Sequence, residues 1–406
     1  MRKRLFFRCS GSAAELTGEG LHDMIPAYPG EPGGRGAAGC GEEMRMKQYR
    51  VGIIGATGMV GQRFISLLKD HPWFQVTCLA ASARSAGKTY REAVGERWAF
   101  DWPIPEKAAD MVVVDAADID AVAEKVDFVF CAVDMKKDEI RALEESYARH
   151  EIPVVSNNSA CRGIEDVPMV VPEINSAHLG VIETQKKRLG SKRGFIAVKP
   201  NCSIQSYVPA LTPLMDFEPE KVSVCTYQAI SGAGKTFRTW PEMIDNVIPY
   251  IGGEDEKSEQ EPLKLWGHLE DLGRGPVIVN AKAPIISAQC LRVAASDGHM
   301  AAVSVSFGKK VTKEEILDRW NHYETEAQRL ELPSAPKPFL QYFEDPSRPQ
   351  TRLDRDFQNG FGVSIGRLRE DRIFDWRFVC LSHNTIRGAA GGGILTAELL
   401  CKKGYI

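Results

Sequence analysis

The stretch Tyr49-Arg-Val-Gly-Ile-Ile-Gly55-Ala-Thr-Gly58-Met-Val-Gly61-Gln-Arg-Phe-Ile-Ser-Leu-Leu-Lys69 restricts the fold more than any other part of this 406-residue chain. A β-type apolar run enters a glycine-rich turn, and apolar residues at helical spacing (Val60, Phe64, Leu67, Leu68) leave it. Such a joint suits a dinucleotide. Glycines permit the tight turn and let a pyrophosphate approach the backbone, while the helix N-terminus faces the negative charge. The spacing is G-x-x-G-x-x-G rather than the stricter G-x-G-x-x-G, so the placement between strand and helix carries the weight. Gly55, Thr57, Gly58, Met59 and Val60 are the candidate contacts of this turn.

A second strand is expected over Phe74 to Ala81, followed by Ser82-Ala-Arg84-Ser85-Ala-Gly-Lys88. A cofactor without a 2′-phosphate would want an Asp or Glu at this strand end, and none is there. Two serines, an arginine and a lysine stand instead. A guanidinium suits a 2′-phosphate, so the pattern points to NADP, with Ser82, Arg84 and Ser85 as its contacts; the other reading is a solvated basic loop. Met111 to Asp115, Val126 to Val133 and Ile152 to Ser156 read as strands, and Lys136 to His150 as a helix. Strands alternating with helices predict a Rossmann-type, doubly wound parallel sheet over 47–198. In such sheets ligands bind outside the carboxyl ends of the strands, which draws attention to Asn157-Asn-Ser159-Ala-Cys161-Arg162. Arg162 there can meet an anion or be a plain surface arginine.

Ala197-Val-Lys-Pro200-Asn-Cys202-Ser-Ile-Gln-Ser206 comes next. An apolar run stops at a proline, and a helix-compatible segment, Ile204 to Met215, follows. A cysteine at a helix start has free N–H groups and the helix dipole to favour its thiolate. Cys202 is therefore the candidate nucleophile, against the alternative of a small buried residue. The ten cysteines are scattered without a C-x-x-C pair, which disfavours zinc ribbons and thioredoxin-like motifs and fits reduced cytoplasmic thiols. A net charge of −3 gives no nucleic-acid footprint, and no apolar run approaches the roughly 18 residues of a membrane span.

Beyond Cys202 the pattern changes. Long strands (Lys221 to Ile230, His299 to Phe307, Phe361 to Leu368, Arg372 to Leu381) with helices between them predict an α+β domain on a mostly antiparallel sheet over 199–382. Gln228-Ala-Ile-Ser231-Gly232-Ala-Gly-Lys-Thr236 resembles a Walker A loop, but Ala229 stands where its first glycine belongs, and the glycines instead suit close approach to a cofactor. Gly252-Gly-Glu254-Asp-Glu-Lys257-Ser-Glu-Gln-Glu261 reads as a charged loop before an amphipathic helix. His299, after Gly298 at a strand start, is either a proton-transfer group or a satisfied structural histidine. His383-Asn384 to Gly393 reads as a glycine-rich turn into a closing helix, Ile394 to Cys401, which completes the first domain. Residues 1–46 carry neither period, and are expected to be a disordered extension, translated from an upstream start codon.

An NADP-type fold with a cysteine nucleophile points to acyl reduction through a thioester. Gly-Ala-Thr-Gly58-Met-Val-Gly61, Ala-Ser-Ala-Arg84-Ser, Asn-Asn-Ser159-Ala-Cys-Arg162, Pro-Asn-Cys202-Ser, Tyr-Gln228-Ala-Ile-Ser-Gly-Ala-Gly, Arg292-Val with Gly-His299, and His-Asn384-Thr-Ile-Arg-Gly-Ala-Ala together resemble aspartate-semialdehyde dehydrogenase, in the form typical of archaea and fungi. The resemblance runs from about residue 48 to 405. It implies NADPH-dependent reductive dephosphorylation of L-4-aspartyl phosphate to L-aspartate 4-semialdehyde, toward lysine, threonine and methionine. It also implies Cys202 as nucleophile, His299 as acid/base and Gln228 as the residue orienting the acyl intermediate. By the same resemblance Arg292 meets the substrate α-carboxylate, Glu254 its amino group, and Arg162 and Lys257 its phosphate. Glu256 could exchange with Glu254 by a one-residue slip. Ser159, Ser231, Gly232 and Asn384 are implied cofactor contacts, and a homodimer or homotetramer is expected. Rival readings are a malonyl-CoA or related acyl-CoA reductase on the same scaffold, and a non-catalytic NADP sensor.

Overall fold

The computed structural model describes residues 48–406. The expected extension, residues 1–46, lies outside them. The first sheet contains β1 (Tyr49–Ile54), β2 (Phe74–Ala81), β3 (Val114–Asp115), β4 (Phe128–Cys131), β5 (Val154–Ser156) and β6 (Ile196–Val198). All are parallel, in the order β3-β2-β1-β4-β5-β6. Near-continuous Val/Ile/Phe runs make these strands, because helices cover both faces of a parallel sheet and leave no face for water. The helix Met59–Leu68 leaves the glycine turn and buries Phe64, Ile65 and Leu68, with Phe64 stacked on Phe130 at 4.4 Å. Strand order reverses between β1 and β4, so the crevice for a dinucleotide opens where Gly55 meets Ala132.

The second sheet holds β7 (Pro219–Gln228), β8 (Val247–Ile248), β11 (Ile285–Val293), β12 (His299–Phe307), β13 (Leu340–Phe343), β14 (Val363–Glu370) and β15 (Trp376–Ser382), while β9 (His268–Asp271) and β10 (Pro276–Val279) form a separate ribbon. Its order is β13-β14-β15-β12-β7-β11-β8. Only β13–β14 and β11–β7 are parallel, so the sheet is mixed but mainly antiparallel. Along β12 the core takes His299, Ala301, Val303, Val305 and Phe307, and Met300, Ala302, Ser304 and Ser306 face the other way, the period of two of a sheet with one covered face.

Two expectations change. Ile204 to Met215 is not one helix. It breaks into a 3₁₀ turn (Ser203–Gln205), a five-residue helix (Tyr207–Leu211) and a second 3₁₀ turn (Thr212–Phe217), because Pro209 and Pro213 remove N–H donors from the ladder. The glycines expected as a turn before the closing helix lie within it, at the start of Gly391–Lys402. A Cβ on Gly392 would stand 2.3 Å from Arg387 O, and one on Gly393 2.9 Å from Phe64 Cζ, so close packing selects glycine here.

Candidate active site

Cys202 follows β6 after the Lys199-Pro200-Asn201 link. Asn201 Oδ1 accepts the Ser203 N–H at 2.7 Å, an Asx-type turn that bends the chain at the cysteine. Because Cys202 leads a 3₁₀ turn and not a long helix, little dipole support reaches its sulfur. Burial raises the thiol pKa and the Glu254 carboxylate adds to that, while Lys199, Arg162 and Arg292 pull the other way. What support the thiolate has comes from side-chain cations and not from a helix end, and burial outweighs it.

Strand register assembles the rest of the centre. In the β11–β7 pairing Arg292 stands opposite Gln228, and in the β12–β7 pairing Met300 stands opposite Tyr227. Arg292, Gln228 and His299 therefore meet at one end of three neighbouring strands. His299 Nε2 lies 3.5 Å from Cys202 Sγ. Its Nδ1 accepts the Ala229 N–H at 3.1 Å, which assigns the proton of the neutral ring to Nε2, the nitrogen facing the sulfur. The ring is fully buried, and burial first, then the Arg292 charge, lowers its pKa to about 3. Arg292 donates to Ala229 O at 2.8 Å and forms no ion pair among the described residues, which leaves a buried guanidinium for an incoming anion.

The helix Glu254–Leu265 forms the third wall. The stretch expected as a charged loop, Gly252 to Glu261, is helical from Glu254 onward and makes its first two turns. Glu254 Oε1 accepts from Lys257 Nζ (2.8 Å) and Asn201 Nδ2 (2.9 Å), and Oε2 accepts from Gln228 Nε2 (3.2 Å). Burial would raise the Glu254 pKa, but the Lys257 charge and these three donors hold it below the ordinary value. Glu254 is buried whereas Glu256 is exposed, so the network takes Glu254. Arg162 comes in from the first sheet, donating from Nη1 to Glu261 (2.9 Å) and from Nη2 to Asn157 O (2.9 Å). Arg162, Lys257, Ser159 and Glu261 line a cavity of about 420 Å³.

The cofactor candidates gather at the crevice of the first sheet. Gly55 has φ +87°, and a Cβ there would lie 2.4 Å from Ala132 O; one on Gly61 would lie 2.4 Å from Gly55 O. Gly58 caps the helix that Met59 and Val60 begin, and Thr57 O is held by Gln62 Nε2 at 3.0 Å. Ser85 is buried, Ser82 and Arg84 are exposed, and Arg84 has no hydrogen bond or ion pair among the described residues. A cradle only glycine can line and an unpaired guanidinium at the next strand end fit a dinucleotide with a 2′-phosphate. Asn384 bridges the two halves of the centre: Oδ1 accepts the Gly298 N–H (2.8 Å) and Nδ2 donates to Ser231 Oγ (2.8 Å). A Cβ on Gly232 would stand 2.8 Å from Arg292 Nη1 and 2.9 Å from His299 Nε2, so this glycine keeps the site open.

Four residues of the centre escape the reading of the sequence. Asn201 appears there only as a member of the Pro-Asn-Cys202-Ser motif, although its side chain reaches Glu254. Glu261 accepts the Asn201 N–H at 2.6 Å. Lys199 is buried, with a pKa lowered to about 7 chiefly by that burial, and donates to Pro200 O. Lys264 ties the loop after Ser159 by donating to the carbonyls of Arg162, Ile164 and Val167. Helical spacing from Glu254 and Lys257 marks Glu261 as sharing their face; nothing in the sequence marks the other three.

A dinucleotide crevice, a cysteine after the last strand of that sheet and a histidine brought to it by a mixed second sheet define the class. The family model for the semialdehyde dehydrogenase NAD binding domain matches residues 50–182, and that for the semialdehyde dehydrogenase dimerisation domain matches 211–387. The chain is 44% identical to the aspartate-semialdehyde dehydrogenase of Archaeoglobus fulgidus over 88% of its own length and 100% of that protein's. It is 42% identical to that of Aspergillus fumigatus, over 88% and 98%. The crystal structure of the Candida albicans enzyme with NADP superposes with a TM-score of 0.80 at 39% identity, covering 89% of this chain and all of that one. The chain belongs to the aspartate-semialdehyde dehydrogenase family.

Proposed function

We infer that this chain reduces L-4-aspartyl phosphate to L-aspartate 4-semialdehyde with NADPH, releasing phosphate, and runs the phosphate-dependent oxidation in reverse. The observation that carries the reading is the 3.5 Å approach of Cys202 Sγ to His299 Nε2, with the charges of both Arg162 and Arg292 acting on the sulfur and Arg292 in no ion pair among the described residues. Two cationic poles suit a substrate with a carboxylate at one end and a phosphate at the other. Arg292 clamps the α-carboxylate, Glu254 meets the ammonium, and Arg162 with Lys257 holds the phosphate. The Cys202 sulfur bonds to the acyl carbon as the C–O bond to phosphate breaks, the oxygen leaving with the electron pair and the thiol proton ending on the released phosphate. NADPH, when bound, supplies the hydride that reduces the resulting thioester. The C–S bond of the hemithioacetal then breaks and Sγ recovers its electron pair. His299 Nε2–H donates to the thiolate and to the oxyanion of each tetrahedral adduct, a narrower part than the acid/base role that the resemblance implies. Gln228 holds the acyl oxygen side of the pocket through its place beside Glu254.

Gly55, Thr57, Gly58, Met59 and Val60 would hold the pyrophosphate, Ser82, Arg84 and Ser85 the 2′-phosphate ribose, and Ser159, Ser231, Gly232 and Asn384 the nicotinamide side. The assay is the oxidation of aspartate semialdehyde followed by NADPH absorbance: turnover should require inorganic phosphate, and equal rates without it would remove the reading. The names of the relatives favour this substrate over a CoA thioester. Arg84→Ala should raise the KM for NADP about tenfold and that for NAD by less than about twofold, since only the former loses a charge-assisted bond. Equal effects on both cofactors would refute the 2′-phosphate contact.

The second half of the chain matches a dimerisation domain, which supports a homo-oligomer. Its sheet leaves Tyr227, Val247 and Ile285 exposed, an apolar face suited to a second copy in a homodimer or a dimer of dimers. No helix among the described residues is long and apolar enough to cross a membrane. The cytoplasm is the proposed compartment, from the scattered cysteine pattern.

A further inference from the structure

We propose that Glu261 is a positioning residue that both moderates the grip of Arg162 on phosphate and fixes the backbone beside the nucleophile. The proposal rests on reading the Arg162–Lys257 cavity as the acyl-phosphate site. One carboxylate makes two bonds of different purpose: Oε1 accepts from Arg162 Nη1 at 2.9 Å, and Oε2 accepts the N–H of Asn201, the residue before Cys202, at 2.6 Å. Glu261 is 9% exposed, so both bonds sit away from bulk water. It follows Lys257 by four residues and Glu254 by seven on the helix Glu254–Leu265, a spacing that places all three on one face. Glu254 grips the Asn201 side chain while Glu261 grips its backbone. A single rigid helix therefore sets the Cys202 turn and the phosphate-binding cations against one another.

The pairing also has an electrostatic consequence. Of the five N–H groups of Arg162, one on Nη1 goes to Glu261 and one on Nη2 to Asn157 O, and the buried Nε has no partner. An arriving phosphate has the second N–H of Nη1 and of Nη2 to meet, but shares the cation with a carboxylate already in contact and is repelled by it. Acyl phosphate must enter this site and inorganic phosphate must leave it on each turnover, so a moderated cation serves release. Glutamine cannot replace the carboxylate. With one acceptor oxygen and one NH₂, it must set a donor against either Arg162 or the Asn201 N–H.

The test compares the wild type, Glu261→Gln and Glu261→Asp in the full chain. Inorganic phosphate is titrated by calorimetry, thermal melts report folding, and kcat and KM are measured for aspartate semialdehyde. Glu261→Gln is expected to bind phosphate about fivefold more tightly and to turn over about tenfold more slowly, with KM for aspartate semialdehyde within about twofold of wild type. Glu261→Asp keeps the charge but is one methylene too short to span both partners. It should bind phosphate as the wild type does and still turn over slowly. Phosphate binding to Glu261→Gln that is unchanged or weaker overturns the proposal, and so does a loss of kcat matched by an equal rise in KM for the semialdehyde. Should Glu261→Gln not fold, wild-type turnover or altered phosphate affinity in Glu261→Asp overturns it. A wild-type enzyme that binds phosphate but does not oxidise aspartate semialdehyde would sink the proposed reaction instead, and leave the calorimetric comparison valid.

Discussion

Cys202→Ala is expected to lower turnover by about 10⁴-fold or more, because the side chain proposed to form the covalent intermediate is gone. Of the described cysteines only Cys202 lies within reach of a histidine ring nitrogen, at 3.5 Å from His299. NADP affinity should be unchanged, since the crevice between β1 and β4 involves other residues. Rapid mixing with aspartyl phosphate, followed by intact mass, should show an acyl adduct in the wild type and none in the variant. Residual turnover above about one per cent of wild type would rule out the thioester route. The thiol should also titrate above the ordinary range in the free enzyme, since burial and then Glu254 raise it against three cations. Its alkylation by iodoacetamide should quicken with rising pH accordingly.

His299→Ala should cost about 10²- to 10³-fold in kcat, the magnitude for removing one donor to an oxyanion in a buried site. KM for aspartate semialdehyde should move little, because the proposed ground-state contacts are those of Arg292 and Glu254. A pH profile separates donor from acid/base. With a pKa of about 3, His299 stays neutral across the working range. The wild-type kcat/KM profile should then show no limb at the usual histidine position that vanishes in His299→Asn. Finding such a limb would return His299 to the acid/base role. Stability carries the same signature. The folded pKa lies below the unfolded one, so the unfolded chain binds more protons between about 3 and 6.5. The stabilising effect of keeping the ring neutral is complete above pH 6.5 and is lost as pH falls toward 3. His383, lowered to about 4 chiefly by burial, acts in the same direction. Thermal melts should thus decline on acidification below 6.5, less steeply in His299→Asn than in wild type.

Much of the frame was legible because it depends on local chemistry. The β1–turn–helix joint could be read residue by residue, since a buried parallel strand needs an apolar run and a tight turn needs Gly55 at φ +87°. The start of β12 at His299 was legible for the same reason, an alternation of two entered from a glycine with φ +96°. After Cys202 the apolar spacing predicts one helix, but two prolines interrupt it. Packing under the second sheet holds three short turns where one helix was expected, with Trp320 Nε1 donating to Ala210 O at 2.7 Å.

By itself, then, the sequence determined a nucleotide-binding crevice, a cysteine outside the last strand of a parallel sheet, and the family. It also named Cys202 and His299 through the residue types that such chemistry needs, and Arg292 and Glu254 through the resemblance to the family. Only the tertiary structure decided how they act together. The β11–β7 and β12–β7 registers bring Arg292, Gln228 and His299 to one edge. The Ala229 N–H fixes which ring nitrogen holds the proton. Glu261, 60 residues from Asn201 along the chain, supplies the bond that sets the cysteine turn. Hydrogen bonds are made at about 3 Å whatever the distance along the chain, so no local pattern can announce them.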